Sequence, residues 1–298
     1  MTSLASMEAQ SPAHGSSGRV PILVVATGGS SGLGFEALAT YVKQSENDIT
    51  LVLGCRNPVS PLVSTRLREF QNVRKLDIFE LELTSNDSIR GFAAHILETY
   101  SQQISVLLLC AGAMCGTRIV DSSGIEQTLQ VNALSQGLLL ECLWLRLIRP
   151  VDGMVCSRVV FVASSLHKKA SQQHEVSPSS IDTLLDNKPW KPLSVYSITK
   201  LVQMHLFKIV DDAFAKVGDS KLRPIAIAVS PGESLSNHPK DEHSSKISNL
   251  TGFVPQTGLV REYSWLMRQL MAYIMPMFPF TTSLEEGKSH EECFSREK

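Results

Sequence analysis

No apolar run in this chain of 298 residues reaches the roughly 18 residues of a membrane-spanning helix. The nearest stretch, residues 270–280, is short and broken by Pro276 and Pro279, which reads as a buried lid rather than an anchor. Neither sign of charge is in excess: 28 Lys and Arg stand against 29 Asp and Glu, a formal net charge of −1. That balance removes any global drive toward nucleic acid or acidic membranes and points to a small, largely neutral molecule as partner. Cys55, Cys110, Cys115, Cys142, Cys156 and Cys293 show no paired metal-ligand spacing, and neither do His167, His205 and His238. No metal is expected. Several of the cysteines lie in apolar runs, as buried thiols of a reducing compartment do, so the expected location is cytoplasmic. Residues 1–18 have no apolar core of signal-peptide length and read as a disordered leader.

What is present is an alternation. Apolar residues make up 43% of the chain, enough to bury the core of one large domain over residues 19–298. Short apolar, β-branched runs at 20–25, 49–54, 76–83, 105–109, 158–163 and 224–229 read as strands. Between them, helical spacing recurs near residues 35–42, 64–70, 89–100, 124–148 and 194–217. Strand and helix in turn predict an α/β fold, a doubly wound parallel sheet covered on both faces. Periodicity vanishes over 166–192, read as a surface insertion, and 233–280 is read as a substrate lid. Trp144 and Trp190 read as packing residues.

The first strand runs into Thr27, Gly28, Gly29, Ser30, Ser31, Gly32, Leu33 and Gly34, after which the helical pattern starts. A Gly-Ser cluster alone is only a loop. Between a buried strand and a helix it becomes a phosphate cradle, because the helix's free N–H groups and positive dipole end face the turn. The second strand ends at Cys55 and Arg56, where a dinucleotide fold places the adenosine ribose. A carboxylate there suits a 2′-hydroxyl and an arginine suits a 2′-phosphate, so Arg56 favours NADP over NAD. The bland alternative is an ordinary solvated arginine.

A third constellation gathers beyond the later strands. Ser165 follows strand five, and Tyr196 and Lys200 stand four residues apart on one face of the next helix. A free phenol, with a pKa near 10, is a poor base at neutral pH, and a useful shift of roughly 3 units takes about 4 kcal/mol. One ammonium about 4 Å away, at an effective dielectric near 20, supplies about that much. Such a pair does proton-transfer work that neither residue does alone.

Together these motifs resemble the short-chain dehydrogenase/reductase family. The T-G-x-x-x-G-x-G pattern matches Thr27 through Gly34, Y-x-x-x-K matches Tyr196 and Lys200, and the serine matches Ser165. The helix asparagine matches Asn132, and the P-G turn that faces the nicotinamide matches Pro231 and Gly232. The resemblance spans about residues 20–232. It implies a single Rossmann-like domain and hydride transfer between a nicotinamide and a carbonyl or alcohol. Tyr196 would be the general acid in reduction, and Ser165 would orient the substrate oxygen. Lys200 would bind the ribose and lower the pKa of Tyr196, while Asn132 would hold a relay water. Glu82, Leu83, Cys110, Ala111 and Gly112 would complete the cofactor site. The C-R pair at Cys55 and Arg56 is similar to the retinol-dehydrogenase and 3-ketosteroid-reductase branch, and to fungal secondary-metabolite ketoreductases. Pairing through the helices of Asn132 and Tyr196, as a homodimer or homotetramer, is implied too.

There are departures. The family's N-N-A-G reads Leu109, Cys110, Ala111, Gly112, the acidic residue is Glu82 rather than Asp, and no strand-like run follows the lid. Two expectations follow: a sheet of six strands that lacks the family's last one, or a truncated or mis-spliced gene product. The expected function is NADP(H)-dependent oxidation or reduction of a bulky apolar molecule such as a terpenoid, sterol or polyketide. Two alternatives stay open: an NADP-binding relative with little or no activity, and an epimerase or dehydratase that does not consume its cofactor.

Overall fold

The computed structural model describes residues 20–58, 61–149, 156–173, 180–186, 188–217, 223–231 and 247–248. Its centre is β1 (Pro21–Thr27), buried at every position after the first. Successive side chains of a strand alternate between faces, and β1 does so between two cores. Leu23 and Val25 join the larger cluster on one face of the sheet, while Ile22, Val24 and Ala26 join the other. An unbroken apolar run therefore has a simple cause: both faces of this strand are covered.

The remaining strands are β2 (Asp48–Cys55), β3 (Val73–Glu80), β4 (Ile104–Leu109), β5 (Arg158–Val162), β6 (Ile225–Val229) and β7 (Ile247–Ser248). They lie in the order β3-β2-β1-β4-β5-β6-β7, and all pair in parallel. Chain order reverses between β1 and β4, which is where such a sheet opens a crevice at its carboxyl edge. The second face is covered by α1 (Gly32–Gln44), through Phe35, Leu38 and Val42, and by α2 (Pro61–Arg68), through Leu67. Packed on the first are α3 (Asn86–Thr99), α5 (Ser135–Ile148) and α8 (Pro192–Phe214). A short α4 (Gln127–Leu129) and a π-helical turn, Gln130–Leu134, lead into α5.

One reading of the sequence is corrected and three gain detail. First, β3 lies three residues earlier than the 76–83 pattern. Leu81 and Leu83 are buried beyond the strand, under the crevice, so their alternation does not mark sheet. Second, the 166–192 segment, read as a surface insertion without periodicity, holds α6 (Leu166–Gln173) and α7 (Ile181–Leu185). Ala170 of α6 and Ile181 and Leu185 of α7 pack with Val195, Ile198 and Leu201 of α8. Helices this short leave little periodic signal.

Third, Gln127–Ile148 is long and apolar enough to cross a membrane by length and composition. Its Leu139, Leu140, Leu143 and Leu147 are buried against the sheet, which accounts for that composition. Fourth, six strands of at least five residues are joined by the two-residue β7, paired through Ala228–Ile247 and Val229–Ser248. It falls inside the stretch read as a lid. The rest of 233–280, the leader at 1–18 and Gly232 lie outside the described residues.

Phe161 of β5 is fully buried and meets Phe207 of α8 edge-on, with ring centroids 5.8 Å apart at 83°. Phe161→Ala is expected to lower unfolding free energy by about 3–5 kcal/mol. Chemical denaturation measures this, and a loss below about 1 kcal/mol would show that the core closes over the gap.

Candidate active site

The glycine turn is shaped by a close approach. Gly28 has φ +70, and a Cβ there would lie 2.5 Å from the Ala111 nitrogen. At Gly34 a Cβ would lie 2.5 Å from the Gly28 carbonyl oxygen. Only glycine lets the turn sit this close to the loop after β4. Cys110 N–H donates to the Thr27 carbonyl at 3.2 Å and joins that loop to the end of β1. Ser31 occupies the N-cap of α1, yet its side chain makes no capping bond. The first N–H groups of a 13-residue helix are thus left for a ligand.

The crevice is a cleft of about 250 Å³. Gly28, Ser30, Ser31, Gly32, Leu33 and Gly34 line it from the turn. Arg56 enters from the end of β2, Glu82 and Leu83 from beyond β3, and Cys110, Ala111 and Gly112 from beyond β4. Tyr196 and Lys200 come from α8, and Pro231 from beyond β6. Thr27 lies behind the turn, buried, and its hydroxyl has no hydrogen-bond partner among the described residues. The Glu82 carboxylate is occupied by Thr84, accepting from its backbone N–H and its hydroxyl at 2.9 Å each.

Asn132 does not line the cleft. It sits in the π-helical turn, fully buried, and accepts from the Ala113 N–H at 2.7 Å. Its side-chain amide donates to the Ala113 carbonyl at 2.9 Å and to the Thr199 hydroxyl at 3.0 Å. Both amide hydrogens are spent. The side chain braces the loop after β4 against α8, which leaves it no N–H for the expected relay water.

The serine nearest the chemistry is also not the expected one. Ser164 lines the cleft, and its hydroxyl is hydrogen-bonded to the Tyr196 phenol. Ser165 already belongs to the turn into α6, where its carbonyl accepts from the Lys168 N–H at 3.0 Å. A Ser-Ser pair gives no signal of where the strand ends and the turn begins, so adjacency alone could not separate the two.

Tyr196 and Lys200 are both buried, and the lysine nitrogen lies 5.7 Å from the tyrosine ring centroid. The ammonium donates to the Val162 carbonyl at 2.8 Å and to Gln203 Oε1 at 3.0 Å. Burial pulls the Lys200 pKa down to about 8, with Cys110 opposing the shift. Burial also raises the phenol above its ordinary value, and the Ser164 hydrogen bond offsets part of that rise. The expectation that the lysine by itself makes the phenol acidic is corrected: burial, the largest influence, raises the phenol's pKa. Desolvation outweighs the neighbouring cation, because the ammonium bonds to Val162 and Gln203. The phenol keeps its proton.

A family model described as short chain dehydrogenase matches residues 22–180, over half of the chain. The chain belongs to the short-chain dehydrogenase family. That family is one of oxidoreductases, and the glycine turn, Ser164, Tyr196 and Lys200 occupy one cleft in this member of it. A short chain dehydrogenase/reductase of Annulohypoxylon moriforme is 29% identical over 63% of this chain and 55% of its own length. A short chain dehydrogenase of Emericella nidulans is 24% identical over 89% of this chain and 76% of its own. The match thus spans just over half the length of the first relative.

Solved short-chain dehydrogenases share the fold at 16% identity. One from Mycobacterium marinum has a TM-score of 0.59 over 90% of this chain and 85% of its own. One from Sphingobium yanoikuyae, in complex with NADPH, scores 0.56 over 90% and 82%. An NADH-dependent reductase complexed with NAD scores 0.53 over 72% and 80%.

The depressed lysine makes a stability prediction. Unfolded, Lys200 holds its proton up to 10.5; folded, it releases it near 8. Between those values the unfolded state binds more protons, so this lysine adds stability as pH rises, at roughly 1.4 kcal/mol per pH unit. Wild type should therefore gain on Lys200→Met from pH 8 to about 10, with the tyrosine titrations common to both proteins cancelling. Denaturant melts across that range measure it, and parallel curves would place the Lys200 pKa at its unfolded value.

Proposed function

We propose that this chain is an NADP(H)-dependent oxidoreductase that reduces a ketone, or oxidises the matching secondary alcohol, on a bulky apolar small molecule. The observation that carries the reading is the meeting, in one cleft, of a glycine cradle with Ser164, Tyr196 and Lys200. The cradle fits a dinucleotide: Gly28 and Gly34, where a Cβ would strike the loop after β4 and the turn's own backbone, let the turn close, and the uncapped start of α1 suits a pyrophosphate. NADPH, when bound, supplies the hydride.

The chain's own residues handle the proton and the oxygen. Burial keeps Tyr196 protonated, so the phenol gives its proton to the substrate oxygen during reduction. Ser164 hydrogen-bonds the same oxygen and holds it at the phenol. Lys200, poised near 8, takes the ribose side and returns a proton toward Tyr196. In the oxidative direction the same groups run in reverse.

Arg56 supports NADP. It is exposed on the rim at the end of β2, and the acidic residue of this region, Glu82, is turned to Thr84. The solved neighbours include both an NADPH-bound and an NAD-bound protein, and the preference for NADP in this reading is supported by the arginine. Support for a bulky apolar substrate comes from Phe253, Trp265, Met267, Met271, Tyr273, Met277 and Phe278 in the sequence. A cytoplasmic homodimer or homotetramer belongs to the same reading, supported by exposed Leu134, Leu145 and Ile209 on the helical side.

Tyr196→Phe should cut NADPH-dependent reduction, across a panel of hydrophobic ketones, by roughly 100- to 10,000-fold while leaving NADPH binding intact. Equal turnover by both proteins would remove the phenol from the chemistry, and NADPH binding without turnover of any ketone would favour a binding protein. Arg56→Ala should raise the Kd for NADPH by roughly 10- to 100-fold and leave that for NADH within a factor of about two. Equal weakening of both would show that Arg56 does not read the 2′-phosphate.

A further inference from the structure

Behind the cleft runs a polar chain that the reaction chemistry does not use. Lys200 Nζ donates to Gln203 Oε1 at 3.0 Å, Gln203 Nε2 donates to Gln136 Oε1 at 2.8 Å, and Gln136 Nε2 donates to the Ala111 carbonyl at 3.4 Å. The two glutamine side chains belong to residues 0% and 1% exposed. Burying two amides in a core is costly unless their hydrogen bonds are made. The core around them is otherwise apolar, with Leu139, Leu140 and Phe207 close in sequence to the pair. An apolar residue at either position would fill the space, so the amides need a reason.

That reason lies at the two ends of the chain. At one end, Lys200 has three N–H donors, and Val162 and Gln203 take two of them. The ammonium is thereby held against the tyrosine ring with one N–H left over. At the other end, Ala111 belongs to the loop that closes on Gly28, where no Cβ fits. Asn132 grips the next part of this loop through Ala113. Neither Leu109 nor Cys110 brings a side-chain amide to the loop from within; side-chain amides reach it from Asn132 of the π-helical turn and Gln136 of α5.

We propose that Gln203 and Gln136 are positioning residues, a two-amide strut that orients the Lys200 ammonium and ties it to the loop facing the glycine turn. A neutral acceptor at Gln203 also sets the charge balance at Lys200. The ionisable groups facing the ammonium are Cys110, from the loop after β4, and Tyr196, from its own helix. The acceptors from β5 and α8 are a backbone carbonyl and an amide, both uncharged. A carboxylate in place of the amide would hold the proton on Lys200 to higher pH, and a methyl group would release it earlier. The strut rests on the proposed role of Lys200 only for its effect on turnover; its effect on the ammonium stands by itself.

The test follows the Lys200 side chain directly. The full chain, carrying lysine labelled with carbon-13, is titrated by NMR, with the Lys200 signal assigned by its loss in Lys200→Met. The wild-type signal should titrate near 8. Gln203→Glu should move that midpoint up by about one pH unit or more, Gln203→Leu should move it down, and Gln136→Leu should move it in the Leu direction by less. Should Gln203→Leu fail to fold, Gln203→Glu carries the test, because it keeps an acceptor for the ammonium. A folded Gln203→Glu with an unmoved midpoint overturns the strut. Turnover of NADPH with ketones is read separately. A shifted midpoint with an unchanged pH profile of kcat supports the strut while overturning the reading of Lys200 as part of the proton path.

Discussion

An ammonium buried to 3% exposure at the carboxyl edge of the sheet sets the terms for its surroundings. Taking a cation out of water costs several kcal/mol even after relaxation, and the fold must return most of it through hydrogen bonds. Lys200 donates two, to the carbonyl of the last residue of β5 and to the Gln203 side chain on the next turn of its own helix. The carbonyl of Val162 is available because β5 ends there, leaving Ser164 to turn toward Tyr196. Strand end, serine, phenol and lysine are thus one arrangement. Each is placed by the need to satisfy the same charge.

The cleft itself is a consequence of sheet topology. β1 and β4 lie side by side while their connections leave in opposite directions, so the loops at their carboxyl ends part and open a crevice. What stops the crevice from widening is contact between the turn after β1 and the loop after β4. Gly28 allows that contact by lacking a side chain, and the Cys110 N–H closes it with a bond to Thr27. Asn132 holds the loop from beneath, spending the whole of its side-chain amide on Ala113 and Thr199. It sits in the π-helical turn that leads into α5.

Much of this was legible along the chain. Five of the six long strands fall within a residue or so of their apolar runs, because a strand buried on both faces must be apolar throughout. β3 is the exception, and it is also an edge strand, where only Leu76 is buried and the pattern loses its cause. The helices α6 and α7 were hidden for the same reason: each buries too few residues to repeat. At the site, the turn, Arg56, Tyr196 and Lys200 could be read from residue type and spacing, and all of them line one cleft.

Residue type and local spacing by themselves determined the alternation of strand and helix, the glycine turn and the pairing of phenol with amine. These depend on neighbours within a few positions, where geometry follows from backbone periods of two and 3.6 residues. Only the tertiary structure decided that Ser164 rather than Ser165 reaches the phenol, that Asn132 is spent on a loop 19 residues away, and that Gln136 and Gln203 meet across 67 residues to hold a lysine. A hydrogen bond between distant residues leaves no period in the chain. It forms where packing brings two polar groups together out of water, and packing is a property of the whole fold.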